Sequence, residues 1–269
     1  MPAEISVVIP TFRRPEQLAE AITSVLSQEA VTVEVIVLDD SPEHSACETV
    51  TRVGDTRVTY VARTEPSGGK PAIVRNDGWR RARGTFVHFL DDDDRVSPGA
   101  HRAMLDAFEK NPRRGVVFGR IEPFGTDAKA VAEEVAFFRD GARRAAIAMR
   151  TRSRRWMAAN LLFYNTPLVN SACMIRRECV EALGGYDVSV PVLEDVEFYS
   201  RAIRRFGAVF LDRVTLEYRF QGDSLMHGQK DDAQNLEAYR IMYDNYRSAY
   251  GALDLFMLKI FSRTVLRFL

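Results

Sequence analysis

Residues 86–94 read Phe86-Val87-His88-Phe89-Leu90-Asp91-Asp92-Asp93-Asp94. A mostly apolar run of this kind is typical of a buried β-strand, and here it ends abruptly in four consecutive carboxylates. Neighbouring acidic side chains repel one another, so folding keeps them together only if they stay solvated, take up protons or bind a divalent cation through oxygen. The stretch therefore predicts a strand that delivers acidic groups to the edge of a sheet.

Strand and helix patterns alternate along the chain before this stretch. β-Branched runs predict strands at residues 5–10, 33–38 and 58–62, and apolar residues at helical spacing predict helices from residue 15 and around residues 73–82. The alternation predicts an α/β fold of the Rossmann-like kind, with a mixed, mainly parallel sheet and helices on both faces.

Polar side chains follow three of the predicted strands. Thr11 comes after the first strand, Asp39 and Asp40 after the second, and the four carboxylates after the strand quoted above. Ligands of open parallel sheets bind beyond the carboxyl ends of the strands, which lie at one edge. We therefore expect the three polar groups to converge on a single site.

The acidic run is followed by further helix and strand patterns. Ser97 before Pro98 predicts a helix N-cap with proline at the first helical position, and this helix is expected to run to about Lys110. Further along, the patterns predict strands at residues 116–119 and 171–175 and a helix that opens with Leu193-Glu194-Asp195.

Two segments are basic. Residues 139–156 carry seven arginines, and two interpretations stay open: a solvated helix, or an acceptor loop that meets a phosphate-bearing molecule. In residues 253–269, Lys259, Arg263 and Arg267 recur every four positions among apolar residues, which predicts a basic amphipathic helix. Its apolar side suits a membrane surface, a second subunit in a homodimer, or its own domain.

The composition is that of an ordinary globular protein of 269 residues, 46% hydrophobic and 28% charged. Basic and acidic residues number 37 each, so net charge does not indicate a nucleic acid partner. Cys47, Cys173 and Cys179 are odd in number and lack zinc or redox spacing, which predicts a reducing compartment, the cytoplasm. Neither a signal peptide nor a membrane span is predicted.

Several motifs, taken in order, resemble those of the inverting family-two glycosyltransferases, whose fold is GT-A. The resemblance covers about residues 5–224 and rests on the following segments: Ser6-Val7-Val8-Ile9-Pro10-Thr11-Phe12-Arg13-Arg14, Val37-Leu38-Asp39-Asp40-Ser41, Arg75-Asn76 with Ala82 and Gly84, Leu90-Asp91-Asp92-Asp93-Asp94, and Gly184-Gly185-Tyr186-Asp187 with Glu194-Asp195. Any one of these motifs is weak alone; the ordered set is specific.

The resemblance implies a binding site for a nucleoside-diphosphate sugar, with a UDP-sugar favoured. Thr11 and Asp39 are implied to contact the nucleotide base, with Asp40 nearby, and Arg75 is a candidate partner of the phosphates. These residues stand at or near the predicted sheet edge, where such a ligand is expected.

The resemblance also implies a divalent cofactor, Mn²⁺ or Mg²⁺, at the acidic run. Asp93 is the implied metal ligand, Asp91 faces the ribose or the metal through a bound water, and Asp92 belongs to the same cofactor-binding set. Cations of this kind take hard oxygen ligands and share substrate phosphates, so the metal is expected to bridge the diphosphate.

Asp195 is implied to be the general base. It takes a proton from an acceptor hydroxyl as that oxygen attacks the anomeric carbon from the face opposite the leaving nucleoside diphosphate, and this single displacement inverts the anomeric centre. The implied acceptor is a glycan, a glycolipid or a polyprenyl-linked sugar of the cell envelope, reached from the cytoplasm with peripheral contact to the inner face of the membrane.

The resemblance divides the chain into a GT-A domain at residues 1–225 and a C-terminal helical extension at 226–269. Residues 1–120 form the half that binds the nucleotide sugar. Residues 121–225 form the acceptor half, which includes the basic insertion at 139–156.

The chain departs from the family pattern at two places. Family members often have Tyr-Arg-x-His before a serine, and here Tyr218-Arg219-Phe220-Gln221 leads to Ser224. Gln221 therefore stands where the family has a metal-binding histidine, and the alternatives stay open: one protein ligand fewer, or completion of the metal site by Gln221 or by nearby His227. The loop Ser67-Gly68-Gly69-Lys70-Pro71 lacks the asparagine that is frequent there.

Simpler explanations exist for the same residues. The acidic run also suits a solvated loop, but not an EF-hand, because the sixth and twelfth positions from Asp91 are Val96 and Arg102. The helix macrodipole alone favours Asp195 in a first turn, and a turn alone favours Asp39-Asp40. Two rival functions remain: a phosphatase with an Asp-x-Asp nucleophile, and a nucleotide-sugar-binding protein without turnover.

Overall fold

The computed structural model of the protein describes residues 3–163, 169–220 and 232–265. Gln221, Ser224 and His227, on which the predictions about the last motif depend, lie outside the described residues. The predicted boundary between residues 225 and 226 lies outside them as well.

The described strands form one sheet of eight. In chain order they are β1 (Ile5–Thr11), β2 (Val33–Asp39), β3 (Val58–Ala62), β4 (Phe86–Phe89), β5 (Arg95–Val96), β6 (Val116–Phe124), β7 (Cys173–Arg176) and β8 (Ala208–Arg219). Their order across the sheet is β3-β2-β1-β4-β7-β6-β8-β5. The pairs β3-β2, β2-β1, β1-β4 and β6-β8 are parallel, whereas β7 runs antiparallel to β4 and β6, and β5 to β8.

Helices surround this sheet, which confirms the predicted α/β fold. They are α1 (Pro15–Leu26), α2 (Cys47–Val53), α3 (Pro71–Trp79), α4 (Ala100–Lys110), α5 (Ala128–Arg150), α6 (Arg154–Phe163), α7 (Arg177–Leu183), α8 (Glu194–Phe206), α9 (Asp232–Tyr250) and α10 (Ala252–Val265), with a short 3₁₀ turn at Asn170–Ala172. Within the described residues, no helix combines the length and apolar character that crossing a membrane requires.

The central strands are apolar on both sides because each face of the sheet has its own core. Successive side chains of a strand point to opposite faces. Val7 packs in one core with Leu18 of α1 and Met104 of α4. Its neighbour Val8 packs in the other core with Phe198 of α8. This double burial fixes the strand register and therefore the position of the strand ends.

The start of α4 differs from the prediction. The helix begins at Ala100 with Gly99 as its N-cap at φ 69°, so the prediction that Ser97 caps the helix and Pro98 opens it is wrong. The cause is strand pairing, because the amide of Ser97 donates to the carbonyl of Thr215 at 3.2 Å and so extends the β5-β8 contact. A turn closed by Ala100 N and Ser97 O then precedes the helix.

The basic stretch at residues 139–156 is mostly helical, and it covers the second half of α5 and the start of α6. The carboxylate of Asp127 starts α5 by accepting hydrogen bonds from the amides of Lys129 and Ala130 at 3.0 and 3.1 Å. Arg139 and Arg143 of α5 are exposed. Of the two interpretations left open, a helix is the local structure observed.

Two hydrogen bonds join α3 to the loop after α7. Gly184 and Gly185 end α7 with φ values of 75° and 83°, in the geometry of a Schellman motif. The next residue, Tyr186, donates its amide to Oδ1 of Asn76 at 2.9 Å, and Nδ2 of Asn76 donates to the carbonyl of Tyr186 at 2.9 Å. The side-chain amide of Asn76 thus pairs with the backbone N–H and C=O groups of Tyr186, as a residue of a neighbouring strand would.

We expect Gly185→Ala to destabilise the protein more than Gly184→Ala, its matched control. Alanine at either positive φ costs about 1–2 kcal/mol. A Cβ at Gly185 lies 2.2 Å from Oδ1 of Asn76 and 2.6 Å from Nε1 of Trp79, whereas one at Gly184 meets nothing within 4 Å. The clash adds about 1–3 kcal/mol. Midpoints of urea unfolding measure the difference, and equal midpoints would contradict it.

Candidate active site

The carboxyl ends of β1, β2 and β4 meet at one edge of the sheet. Thr11 and Asp39 are paired in register, and the amide of Asp40 donates to the carbonyl of Thr11 at 2.9 Å. The hydroxyl of Thr11 donates to Oδ2 of Asp92 at 2.7 Å, and the amide of Phe12 donates to the same oxygen at 3.3 Å. The structure thus brings together the three polar groups that were expected to converge.

Arg14 balances two of the four consecutive carboxylates. Its Nη1 lies 3.0 Å from Oδ1 of Asp92 and 2.7 Å from Oδ2 of Asp93. Asp92 is buried, so little water is available to stabilise its charge, and a guanidinium supplies a permanent positive charge. The sequence patterns did not single out Arg14 as a site residue, although it stands in the first motif. The signal available in the sequence was that four consecutive carboxylates need a positive charge nearby.

Arg219, the last residue of β8, closes the other end of the acidic run. Its amide donates to Oδ1 of Asp94 at 3.0 Å, and its Nε donates to the backbone carbonyl of Asp93 at 2.9 Å. Its Nη2 also pairs with Glu20 of α1. Oδ2 of Asp94 is buried and has no hydrogen-bond partner. One buried oxygen of the run therefore remains unsatisfied.

The acidic run carries more negative charge than these contacts balance. Burial raises the pKa of Asp93 to about 6; Arg14 opposes this shift, and the carboxylates of Asp92 and Asp91 add to it. Burial, together with the charges of Asp93 and Asp91, raises the pKa of Asp94 well above its ordinary value. Protonation becomes easier where negative charge lacks a partner.

The acidic run fits a divalent cation that a ligand helps to hold. Carboxylate oxygens suit Mg²⁺ and Mn²⁺, and a cation would relieve the charge that raises the pKa values of Asp93 and Asp94. In the described ranges, however, no group of three or more His, Cys, Asp or Glu side chains is placed to hold a metal. The donors fit a site with one or two carboxylates, Asp93 and Asp91, completed by phosphate oxygens.

Arg75 joins the acidic run to the first turn of α8. Its Nη2 lies 2.7 Å from Oδ1 of Asp91, and its Nη1 lies 2.6 Å from Oε1 of Glu194. The ring centroid of Tyr186 lies 5.6 Å from its guanidinium carbon. Only 4% of Arg75 is exposed. The residue predicted to meet phosphate is therefore already engaged by two carboxylates, one of them next to Asp195.

Asp195 stands in the first turn of α8. The chain enters this turn through Leu193 at φ 60°, a left-handed conformation that costs a non-glycine residue about 1–2 kcal/mol. Burial raises the pKa of Asp195 to about 7; the charge of Glu194 acts in the same direction, and Arg75 opposes it. A carboxyl group that titrates near neutral pH is suited to accept a proton there.

The carboxylates of Asp39 and Asp40 hold the segments around the ends of β2 and β3. Both accept hydrogen bonds of 2.6–3.0 Å; the partners of Asp39 are Ser41, Ala46 and Tyr60, and those of Asp40 are Arg63 and Ser67. Each carboxylate oxygen of Asp39 already accepts two hydrogen bonds. The predicted contact of Asp39 with the nucleotide base therefore requires that the base displace one of these donors.

An exposed aromatic ring lies beside the same sheet edge. Phe12 directly follows Thr11, and 48% of it is exposed. The guanidinium carbon of Arg13 lies 4.9 Å from its ring centroid. An open ring of this kind is a surface on which a flat ligand can stack. The sequence patterns did not identify it, because one phenylalanine after a buried strand resembles any other core residue.

Residues 6–183 match the family model described as Glycosyl transferase family 2. Over 103 residues the chain is 35% identical to succinoglycan biosynthesis protein ExoO of Rhizobium meliloti. Over 130 residues it is 34% identical to the GalNAc(5)-diNAcBac-PP-undecaprenol beta-1,3-glucosyltransferase of Campylobacter jejuni. The matches cover 38% and 47% of this chain but 29% and 41% of those relatives, so the chain spans less than half the length of either.

The fold is similar to that of S. aureus TarS. The crystal structure of TarS 1–349 in complex with UDP-GlcNAc superposes with a TM-score of 0.69 at 18% identity, and the match covers 93% of this chain and 69% of that one. At this identity the likeness concerns the fold alone, and it agrees with the predicted GT-A architecture.

We expect Asp195→Asn to raise the thermal unfolding midpoint, and by about 5 °C more at pH 8 than at pH 5. The raised pKa means that the folded state holds a proton which the unfolded state has released. Asp195 therefore lowers the free energy of unfolding. This loss of stability begins near the unfolded pKa of 3.8, increases with pH and reaches its full size above about pH 7. Asparagine removes this cost.

Asp187→Asn is the matched control for this measurement. Burial acts to raise the pKa of Asp187, but hydrogen bonds from Ser189 and Asn245 outweigh it and hold the pKa below its ordinary value. Its contribution is fully present above the unfolded pKa, so its loss should lower the midpoint equally at pH 5 and pH 8. A pH-independent effect of Asp195→Asn would contradict the assignment.

Proposed function

Because the chain belongs to glycosyl transferase family 2, we propose that it is a metal-dependent, inverting glycosyltransferase. It moves a sugar from a nucleoside-diphosphate sugar, with a UDP-sugar favoured, to a hydroxyl group of a glycan, glycolipid or polyprenyl-linked acceptor. The observation that carries the proposal is the chain of contacts from Asp91 through Arg75 to Glu194, which links the acidic run to the neighbour of Asp195.

On the donor side, the base lies beside Thr11 and stacks on Phe12. Asp39 and Asp40 act mainly by holding the segments that frame the base, since their oxygens already accept hydrogen bonds from these segments. Asp93 and Asp91 would hold a divalent cation, which would supply positive charge for the leaving diphosphate. The crystal structure of TarS with bound UDP-GlcNAc supports a nucleotide-sugar donor for this fold.

On the acceptor side, Asp195 is the general base. Its carboxylate takes the proton of the acceptor hydroxyl while that oxygen attacks the anomeric carbon, and the leaving group departs on the opposite face. Two separate acidic functions are needed, because a carboxylate that is engaged in holding a cation is no longer basic. Arg75 and Glu194 keep Asp195 at a fixed place relative to the acidic run.

The names of two relatives support the proposed acceptor. One contains an undecaprenol-linked glycan, and the other is a succinoglycan biosynthesis protein. We further propose that the enzyme works in the cytoplasm, at the inner face of the cell membrane, and that residues 1–120 bind the donor and residues 121–225 the acceptor. The described part of the proposed extension, residues 232–265, consists of α9 and α10.

Two other functions compete with this proposal. An Asp-x-Asp phosphatase, with its nucleophilic carboxylate near the N-terminus, typically has a threonine or valine two places after the second aspartate. Here that place is Arg95, and three strands precede the motif. A nucleotide-sugar-binding protein without turnover would need no base with a pKa near 7, which Asp195 has. Binding of the same nucleotide without any transfer of sugar would favour that second function.

The first test is calorimetric titration of UDP, GDP and dTDP into the protein with and without Mn²⁺. We expect metal-dependent binding of UDP, weakened at least about tenfold in Asp93→Ala, because even residues behind a metal ligand contribute that much to affinity. Asp212→Ala is the control, since Asp212 is an exposed acid paired with Arg120. Absence of binding for all three nucleotides would refute the proposal.

The second test is the pH dependence of kcat/KM, which reports the essential base of the free enzyme. With Asp195 as base, kcat/KM should rise with pH through an acid limb near pH 7. Glu194→Gln removes a charge that raises this pKa, so its limb should move to lower pH. Glu194→Asp keeps the charge and should leave the limb near 7. An unmoved limb in Glu194→Gln would show that another group titrates.

A further inference from the structure

Helix α10 (Ala252–Val265) has two different apolar faces. The inner face carries Leu258, of which 4% is exposed, and it packs in a small core with Leu162 of α6 and with Met242 and Tyr246 of α9. Partly buried Leu255 packs against the same core. These contacts hold the inner face of α10 against the rest of the domain. They do not involve its other apolar face.

The outer face of α10 is apolar and uncovered in the described structure. Its members follow the i, i+3, i+4, i+7 spacing that places side chains in one stripe along a helix. We call them the outer stripe: Leu253 (73% exposed), Phe256 (59%), Met257 (54%) and Ile260 (47%). Four large apolar side chains together on one surface indicate a binding surface, because exposed apolar residues usually occur singly.

The charged residues of positions 252–269 are mostly basic. Asp254 is the one acidic residue among them, and it is engaged on the inner side, with Arg155 at 2.5 Å and Arg204 at 3.6 Å. Lys259 is exposed, and its Nζ lies 6.0 Å from the ring centroid of Tyr243 of α9. The sequence continues with Arg263 and Arg267. The segment thus combines an apolar stripe with a net positive charge.

We propose that the outer stripe docks on an anionic lipid bilayer, with α10 lying in the plane of the interface. A helix with this pattern buries its apolar face among acyl chains while its basic side chains meet anionic headgroups. The inference concerns a surface outside the active site, and it holds whether or not the chain transfers sugar.

A second copy of the chain fits this surface less well. A stable dimer interface buries about 800 Å² on each partner, drawn from about 20–30 residues, whereas the outer stripe has four members. Two copies meeting through α10 would also bring like positive charges together. An anionic bilayer complements both properties.

Docking through α10 also orients the active site. α10 rests on α6, and α6 packs against α8, whose first turn contains Glu194 and Asp195. Val196, the neighbour of the proposed base, packs against the same small core as Leu258 of α10. Docking of α10 would therefore fix the orientation of the first turn of α8 relative to the bilayer.

The test is co-sedimentation of the full chain with vesicles. We expect binding to vesicles that contain phosphatidylglycerol, weaker binding to pure phosphatidylcholine, and a loss of about tenfold or more in the double variant Phe256→Gln/Ile260→Gln, which removes two apolar anchors. The matched control is Leu236→Gln, an equally apolar residue that is 70% exposed on α9 outside the stripe. It should bind like the unaltered chain.

Lys259→Glu tests the charge component and should weaken binding to the anionic vesicles about fivefold. Equal binding to both kinds of vesicle would overturn the requirement for anionic lipid. No binding, or undiminished binding by the double variant, would overturn the docking site. A dimer in analytical ultracentrifugation that the double variant dissociates, without vesicle binding, would assign the stripe to a second copy. Unchanged circular dichroism and an unchanged thermal unfolding midpoint show that each variant is folded.

Discussion

Asp92 and Asp94 of the acidic run are buried and Asp91 and Asp93 are half-buried, so the run needs donors and positive charge, which reach it from three distant elements. Arg14, from the loop after β1, and Arg75, from α3, pair with its carboxylates. Arg219, at the end of β8, donates to the run from its amide and Nε and pairs with Glu20 through Nη2. The electrostatic requirement of β4 therefore determines where the β1 loop, α3 and β8 must lie.

The same constraint ties the two halves of the chain to each other. Arg75 uses one nitrogen for Asp91 and another for Glu194, so the acidic run and the start of α8 share one cation. Because Glu194 raises and Arg75 lowers the pKa of Asp195, the basicity of Asp195 depends on that arrangement. Two ion pairs therefore connect the acidic run to the first turn of α8.

Hydrophobic periodicity was sufficient to predict six of the eight described strands, all but β5 and β8, and the convergence of the first strand ends. It works there because Val7 and Val8 must be buried on opposite faces and parallel strands end at one edge. Periodicity could not predict contacts between residues that are distant in the sequence. Ser97 was predicted to cap a helix, but the partner that pulls it into β5-β8 pairing is Thr215. The engagement of Arg75 by Glu194 joins residues 119 positions apart, a contact that no local pattern encodes.

The pair Gly184-Gly185 is an example of how sequence and structure can suggest different mechanics. Two adjacent glycines usually suggest a hinge. Here the Schellman motif fixes both backbone conformations, and Asn76 clamps the following residue from two sides. The pair therefore behaves as a rigid joint. Any movement of the start of α8 relative to α3 would take place beyond Tyr186, in residues 187–193, which makes that short loop the natural place to look for slow motion.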